Sequence, residues 1–457
     1  MNATSKLDYK RILPIFVLTF VDVLGLTIVI PILHLYAAVF GASPLEIGLV
    51  AATFPIAQLI GVPLMGALSD RYGRKPLLLI SQVTTFIGFL LLASANSLWM
   101  VIFSRALDGL FGANIATAQA AISDVTDDST RAQGLGLIGA AFGIGFILGP
   151  VISFFALEFS DSLAIPALIA AAYSFVSILL TVFLFRETLP PERRGSQASQ
   201  RPFGLLALRP LFSNRQIVLL IALLFGQQVI FFGFESLLGL FTLSRLGFLG
   251  QGNALLFIFV GALLITVQVR YIGRWTRRYG ERRVVFAALT LLTIGLLLFG
   301  TTPEQPHPLY VRQRVVNQLR DLAPTSTESV IGDIAVELPL DENRGIGGLL
   351  WVLVAIVPIA IGAGLVRPSI NSLLTRHAGG RDFGRVLGVS AAAISGANAL
   401  APLIGGLLFQ RAGPAAPFLL GGMVMALLTI IAVATVRDPL QKPTSVESMK
   451  EQTTAPL

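Results

Sequence analysis

The chain of 457 residues contains no cysteine and only three histidines, and charged residues make up 13% of it. The lack of cysteine excludes disulfides, thiolate metal sites and cysteine nucleophiles. His34, His307 and His377 form no metal-ligand cluster in the sequence, and no glycine-rich loop typical of nucleotide binding is present. We therefore expect a protein that is not an enzyme and that holds neither a metal nor a cofactor. Soluble globular domains carry about 25% charged residues, so the composition also argues against a soluble globule.

Hydrophobic residues, at 54% of the chain, gather in long runs separated by short charged segments. A helix needs about 20 apolar residues to cross the hydrocarbon of a bilayer. This spacing predicts an all-α integral membrane protein. The first run is longer than a signal-peptide core, so we interpret it as a retained span. The twelve predicted transmembrane helices lie at about 12–38, 45–68, 76–95, 98–122, 135–157, 163–185, 217–240, 250–271, 284–300, 346–374, 386–409 and 415–436.

The basic residues predict the orientation, because lysine and arginine are enriched in cytoplasmic loops. With the N-terminus in the cytoplasm, 25 of the 33 lysines and arginines fall in cytoplasmic segments and six on the outer side. We therefore predict a multi-pass protein of the cell membrane with both termini in the cytoplasm. The net charge of +8 is spread along loop edges, which favours membrane lipids over nucleic acid as partners.

The two halves of the chain repeat each other. Tyr72-Gly73 matches Tyr279-Gly280 at a distance of 207 positions, whereas Pro150 matches Pro402 at a distance of 252. An insertion of 45 residues between the two pairs would explain both distances, and 301–345 is the long polar stretch found there. Two related six-span halves are the plan expected of a transporter whose halves rock against each other.

These observations predict two six-helix bundles, a linker and one outer insertion. In the insertion, Val311, Val315, Leu319 and Leu322 fall on one helical face, and 330–336 suggests a short strand or turn. The predicted arrangement is an N-terminal bundle at 1–185, a cytoplasmic linker at 186–216, a C-terminal bundle at 217–436 with the insert at about 301–345, and a cytoplasmic tail at 437–457.

A carboxylate lies near the middle of the first span. Asp22 is about ten residues from the cytoplasmic end, or roughly 15 Å deep at 1.5 Å per residue. An ionisable residue at that depth is costly and marks a functional site by default. Asp22 could exchange a proton during transport; alternatively, it could cap a helix or remain permanently paired with an arginine.

The fourth span carries Arg105 and Asp108, which are three residues apart and therefore share a helical face. Together with Asp22 they permit a switch, in which protonation of a carboxylate releases the arginine to another partner. A static pair between Arg105 and Asp108 is the alternative. Asn114 and Gln119, further along this span, are candidates to hydrogen bond a ligand in the cavity.

Other polar residues lie in the first, seventh and tenth spans. Gln227, Gln228 and Glu235 are further candidates for the substrate cavity, although Glu235 could also reach the outer interface. We expect His34, at an outer span end, to be wet. We expect Arg367 to pair locally or to extend its side chain toward the cytoplasmic interface.

The fifth span contains Gly136, Gly145, Gly149 and Pro150. Small residues allow helices to approach closely, and proline removes one hydrogen-bond donor and bends the helix. This pattern predicts a hinge helix, with ordinary tight packing as the alternative.

These residues resemble the motifs of the major facilitator superfamily, and in particular its twelve-span drug:proton antiporters, which include the tetracycline efflux proteins. The stretches 122–131 and 280–283 also resemble tetracycline exporters. The matching motifs are Asp22-x2-Gly25-x5-Pro31, GALSDRYGRK at 66–75, Arg105-x3-Gly109-x2-Gly112 and Gly136-x8-Gly145-x3-Gly149-Pro150.

The resemblance implies proton-coupled export of drugs by alternating access, with Arg105 in proton coupling and the fifth-span motif typical of exporters. The chain departs from the pattern in three places. Ser153-Phe154 replaces the usual paired glycines, Arg277 stands where the second half would match Asp70, and the outer insert is unusual. The resemblance also implies a latch that closes the cytoplasmic side, formed by Gly66, Asp70, Arg71, Gly73, Arg74 and Lys75.

Three functions remain compatible with the sequence. The first is a monomeric antiporter that exchanges protons for amphipathic small molecules, including antibiotics. The second is an importer or facilitator of a sugar, nucleoside or organic acid. The third is a non-transporting membrane receptor or scaffold that binds a partner through the insert.

Overall fold

The computed structural model describes residues 9–112, 114–126, 130–159, 162–195, 214–321 and 336–437. The regular structure in these ranges is entirely helical, and twelve of its helical segments are long and apolar enough to cross a membrane, which confirms the predicted fold class. We number these spans 1 to 12. Their bounds are Ile12–Ala38, Pro44–Tyr72, Arg74–Ala93, Leu98–Val125, Gly134–Phe159, Ala164–Phe183, Arg215–Leu246, Gly250–Tyr279, Glu281–Gly300, Gly347–His377, Gly388–Ala412 and Ala416–Thr435.

Three spans depart from a regular α-helix. In span 1 a 3₁₀ turn at Ile30–Ile32 interrupts the α-helix, because Pro31 has no backbone N–H to donate. Spans 10 and 11 follow each other without a non-helical residue between them, over Gly347–Ala412. The interrupted spans comprise Tyr9–Val29, Ile30–Ile32 and Leu33–Ala38 in span 1, Leu98–Phe111 and Asn114–Val125 in span 4, and Gly250–Thr266, the π-helical turn Val267–Tyr271 and Ile272–Tyr279 in span 8.

Since the number of spans is even, the first span begins and the last span ends on the same side of the bundle. We call this side the terminus face, and the side that carries the segment between spans 9 and 10 the insert face. In the insert, the predicted helix is present at Arg312–Asp321, with Val315 and Leu319 buried and Val311 exposed. Leu322 and the segment 330–335 lie outside the described residues.

Tyr310 anchors the insert on the end of span 7. Its ring is buried against Gly247, and its hydroxyl donates a hydrogen bond to the carbonyl of Pro339 at 2.8 Å. Burial raises the pKa of Tyr310 to about 12, so the phenol stays protonated and remains a donor. Nearby, hydrogen bonding from the backbone N–H of Arg312 holds the pKa of Asp341 below its usual value.

A cluster of aromatic rings holds the second half together. Phe241 lies 4.6 Å from Phe299 and 4.7 Å from Phe418, measured between ring centroids, and Phe234 lies 5.1 Å from Phe299. These residues are buried and belong to spans 7, 9 and 12. Aromatic pairs in edge-on and tilted arrangements add to the free energy gained by burying their surface.

The two halves touch each other closely at the insert face. In span 2, a Cβ on Gly48 would overlap the carbonyl oxygen of Pro402 in span 11. The approach is reciprocal, because a Cβ on Gly406 would lie 2.6 Å from the carbonyl oxygen of Pro44. Span 8 meets span 5 at the same level, where Gln251 donates a hydrogen bond of 2.8 Å to Glu158.

His34 is part of this contact and is buried, so the expectation of a wet position is wrong. Its Nε2 atom lies 3.1 Å from the side-chain nitrogen of Asn253 in span 8, whose oxygen accepts from Thr242 in span 7. With its oxygen so engaged, the amide nitrogen of Asn253 is the donor and His34 the acceptor. A Cβ on Gly239 would overlap the ring, which explains glycine at this position.

We expect Gly48→Leu to push the halves apart at the insert face, because overpacking costs roughly 1–3 kcal/mol. Cysteines introduced at Glu158 and Gln251 report this separation, since the chain has no native cysteine. A short thiol cross-linker should join them efficiently without Gly48→Leu and less efficiently with it. Ala172→Leu, an enlargement by one carbon less at an exposed site, is the control; equal cross-linking in all three backgrounds would contradict the prediction.

Candidate functional site

Asp22 lies inside the first half, beside polar residues of spans 3 and 6. Its carboxylate interacts with the side chains of Gln82 and Ser177, which also hydrogen bond to each other at 2.8 Å. Asp22 itself is partly accessible, whereas Gln82 and Ser177 are fully buried. The sequence analysis missed both partners, because neutral polar residues within an apolar run carry no distinguishing signal.

Arg105 and Asp108 are both buried in span 4 and form an ion pair of 3.4 Å. The second carboxylate oxygen of Asp108 accepts a hydrogen bond of 2.7 Å from Thr85 in span 3. The guanidinium of Arg105 lies 5.3 Å from the ring centroid of Phe89, a cation–π contact. Within the described part of the chain, its Nε and Nη2 atoms have no hydrogen-bond partner.

Asp22 and Asp108 are close enough to interact electrostatically. The group formed by Asp22, Arg105 and Asp108 therefore holds two carboxylates and one guanidinium in the interior of a membrane bundle. We call it the acidic network. It is electrically neutral only when it has bound one proton. The unused N–H groups of Arg105 are available to a second carboxylate.

A cavity of about 420 Å³ separates the halves near the terminus face. Of the two candidates in span 4, Gln119 is exposed and lines this cavity, whereas Asn114 is buried and is not among the lining residues. Arg367 also lines the cavity, so the expectation that it reaches the interface or pairs locally is wrong. Hydropathy alone could not distinguish a cavity wall from a lipid-facing position. The lining consists of Gln119, Ala120, Ser123, Leu135, Arg367, Asn371, Ser390, Ala391 and Ile394.

The three candidates in span 7 occupy different environments. Gln227 is 2% exposed and faces the interior of the second half. Gln228 donates a hydrogen bond of 2.8 Å to Asn398 in span 11. Glu235 is partly accessible and lies one helical turn before Gly239, which contacts His34 of the first half. Residues four positions apart share a helical face, so Glu235 faces the space between the halves.

The glycines of span 5 divide into two groups. Gly145 and Gly149 pack directly on span 1, where Thr27 donates a hydrogen bond of 2.9 Å to the carbonyl of Gly145. Gly136 is exposed, with no neighbour within 4 Å of its virtual Cβ among the described residues. The buried Pro150 completes the packed segment. Span 5 therefore packs closely on span 1 at Gly145 and Gly149, whereas Gly136 lies on a face of the helix without close neighbours in the described structure.

The charged loop after span 2 forms an ion-pair network within its own half. Arg74 lies 2.6 Å from Asp70 and 2.9 Å from Asp124 at the end of span 4. It also donates a hydrogen bond of 3.1 Å to Ser69. Of the remaining loop candidates, Lys75 donates to the carbonyl of Val182, Arg71 is exposed, and Gly66 has no close neighbour in the described structure.

Glu187 caps the helix that follows this loop. Its two oxygens accept from the backbone N–H groups of Arg74 and Lys75 at 2.9 and 3.1 Å, where an anion also interacts favourably with the helix dipole. The turn requires glycine at position 73, since its φ is +108° and a Cβ would overlap the Glu187 carboxylate.

The second half has the corresponding ion pair with its charges reversed. Glu281 lies 2.8 Å from Arg376 and accepts a hydrogen bond of 3.1 Å from Ser372. Glu281 is 207 positions after Arg74, and Arg376 is 252 positions after Asp124, which are the two repeat distances of the chain. Both halves therefore tie the start of their third span to the end of their fourth.

We expect Asp124→Ala to reduce the free energy of unfolding by about 1.5–3 kcal/mol, because a charged hydrogen bond of the nearly buried Arg74 is lost. Asp341→Ala removes an exposed pair with Arg344 and the hydrogen bond from the backbone N–H of Arg312, and it should cost less because solvent screens both interactions. Melting temperatures of both purified variants in detergent compare the two effects. Equal shifts would argue against a structural role for the Asp124 pair.

Comparison with known proteins agrees with this architecture. The sequence matches the model of the Major Facilitator Superfamily over residues 15–311 and 345–457. It is 31% identical over 313 residues to Tetracycline resistance protein, class B, of Escherichia coli, a match that covers 65% of this chain and 75% of that protein. It is 26% identical over 413 residues to Multidrug resistance protein 2 of Bacillus subtilis (strain 168), covering 89% and 90% of the two chains.

Solved structures share the fold. The crystal structure of the human organic anion transporter MFSD10 (TETRAN) superposes with a TM-score of 0.62 at 21% identity, covering 94% of this chain and 100% of that one. The family match extends over most of the chain and is interrupted only within the insert. The chain therefore belongs to the major facilitator superfamily and is a multi-pass membrane transporter.

Proposed function

We propose that the protein exports amphipathic small molecules, drugs among them, in exchange for protons. The observation that carries the proposal is the acidic network, in which a second carboxylate, Asp22, lies near the Arg105–Asp108 ion pair inside the first half. Relatives that are named for tetracycline and multidrug resistance support the direction of transport and the class of substrate.

Proton binding to the acidic network changes the partners of Arg105. With Asp22 and Asp108 both ionised, the network carries one excess negative charge in a medium that solvates charge poorly. Protonation of Asp108 weakens its pair with Arg105 and leaves the guanidinium free to interact with Asp22. Deprotonation restores the pair. The unused N–H groups of Arg105 favour this exchange, because a buried donor without a partner is costly.

The arrangement of the halves supports transport by alternating access. The contacts of Gly48, His34 and Gln251 hold the insert face closed, while the cavity lies toward the terminus face. With the terminus face in the cytoplasm, as the distribution of basic residues predicts, this arrangement is the inward-facing one. Asp70 then pairs with Arg74 of its own half, and we infer that it latches onto the second half when the terminus face closes.

The boundaries of the functional units follow the same plan. We assign 1–185 and 217–436 to the two moving bundles, 186–216 to their cytoplasmic linker and 437–457 to a cytoplasmic tail. The insert at 301–345 belongs to the outer side of the second bundle, and the protein acts as a monomer. Packing of Gly145 and Gly149 on span 1 supports a hinge in span 5, next to the span that carries Asp22.

We expect Asp22→Asn to abolish uphill transport driven by a pH gradient, because an amide cannot exchange a proton and offers Arg105 no second carboxylate when Asp108 is protonated. The measurement uses proteoliposomes that contain the full chain, with an imposed pH gradient and a panel of amphipathic dyes and sugars. Asp341→Asn is the matched control, since it changes the same side chain at an exposed position in the insert and should transport normally.

The outcomes separate the alternative functions. An importer or facilitator would lose little sugar, nucleoside or organic acid exchange on Asp22→Asn, because exchange down a gradient needs no proton. A receptor or scaffold would tolerate the same variant and lose its function on deletion of 303–344. Proton-driven dye transport that persists in Asp22→Asn would overturn the coupling scheme.

A further inference from the structure

We propose that the cavity between the halves binds an anionic oxygen group of the transported molecule, a carboxylate or a similar oxyanion, through Arg367. This inference rests on the proposed transport function and narrows its substrates to anionic or zwitterionic molecules. It concerns the second half, whereas proton coupling concerns the first.

Arg367 is exposed to the cavity and has no acidic partner among the residues that the structure describes. The described structure gives its guanidinium neither an ion pair nor a hydrogen bond, and the cavity lining contains no aspartate or glutamate. Glu235 does not neutralise the charge of Arg367, because the depths of the two residues along their spans differ by about 15 Å, at 1.5 Å per residue. A cation inside a membrane protein usually pairs or faces an aqueous pathway, and here the partner is missing.

A second donor lies on the same wall. Asn371 is four residues after Arg367 and therefore on the same helical face. Its side-chain oxygen accepts a hydrogen bond of 2.9 Å from Ser390, so its NH2 group remains available to the cavity. The wall of the second half thus offers the guanidinium and an amide donor together, which is the complement of an oxyanion.

The chemistry of arginine favours a carboxylate or a related planar oxyanion. The guanidinium presents its N–H donors as a fork that matches two oxygens at once. Across the cavity, Gln119 and Ser123 supply neutral hydrogen-bonding groups from span 4, and Leu135 and Ile394 supply apolar surface. The volume of about 420 Å³ falls within the range of small-molecule sites, so an amphipathic organic anion fits.

Equilibrium binding to the purified full chain tests the site without a proton gradient. The probes are tritiated 1-naphthaleneacetate, its methyl ester and 2-(1-naphthyl)ethylamine, which present one ring system with different charges. We expect the wild-type chain to bind the carboxylate more tightly than the ester. Arg367→Gln should weaken carboxylate binding by about tenfold or more, the effect of losing a charged hydrogen bond, and leave ester binding within about twofold.

Two further variants distinguish the loss of an anion site from a folding defect. Arg367→Glu should reverse the preference toward the amine, a gain that misfolded protein does not produce. Arg411→Gln removes one positive charge from the insert-face end of span 11, at an exposed site, and should leave all three affinities unchanged.

The proposal is overturned if the wild-type chain binds the carboxylate no better than the ester, or if Arg367→Glu fails to favour the amine. Charge preference in binding together with proton-independent transport would retain the anion site and reject antiport. Proton-driven transport with binding that is indifferent to charge would reject the anion site alone.

Discussion

Hydrocarbon cannot solvate a charge, so each ionisable side chain within a span must find a partner or face an aqueous space. The two halves of this protein meet that requirement differently. The first half keeps Arg105 and Asp108 buried and paired inside its bundle, with Asp22 beside them. In the second half, Arg367 is exposed in the cavity wall and Glu235 is partly accessible. This difference is the reason for assigning proton chemistry to the first half and ligand recognition to the second.

The repeat preserves geometry more strictly than chemistry. Arg74 with Asp124 and Glu281 with Arg376 occupy equivalent positions and join the same two spans of each half, but their charges are reversed. An ion pair depends on opposite signs and a suitable distance, and either residue can carry either sign. Because the signs are reversed, a residue put in place of its counterpart in the other half would face a like charge. The two bundles can therefore keep one scaffold and still carry different charges in their loops at the terminus face. We infer that these loops meet when that face closes.

Much of the fold was predictable, because a span is recorded in the sequence as a continuous apolar run. The two repeat distances alone place the insert between spans 9 and 10. The site was less accessible. Gln82, Thr85 and Ser177 are ordinary polar residues in apolar runs, and only the rotation of their helices brings them to Asp22 and Asp108. His34 and Arg367 were misplaced for the same reason: hydropathy reports depth along a span, but not whether the side chain faces lipid, the other half or a cavity.

Spans 1 and 4 connect the acidic network to the space between the halves. Span 1 carries Asp22 in the network and His34 in the contact with the second half, twelve residues or roughly 18 Å further along the helix. Span 4 carries Arg105 and Asp108 on one side of the break after Phe111 and Gln119, in the cavity lining, on the other. A shift in the position of Arg105 therefore acts on the part of span 4 that leads directly to this break. Because an interrupted helix bends more easily than a continuous one, we infer that the break is where a change of proton occupancy becomes a change in the cavity wall.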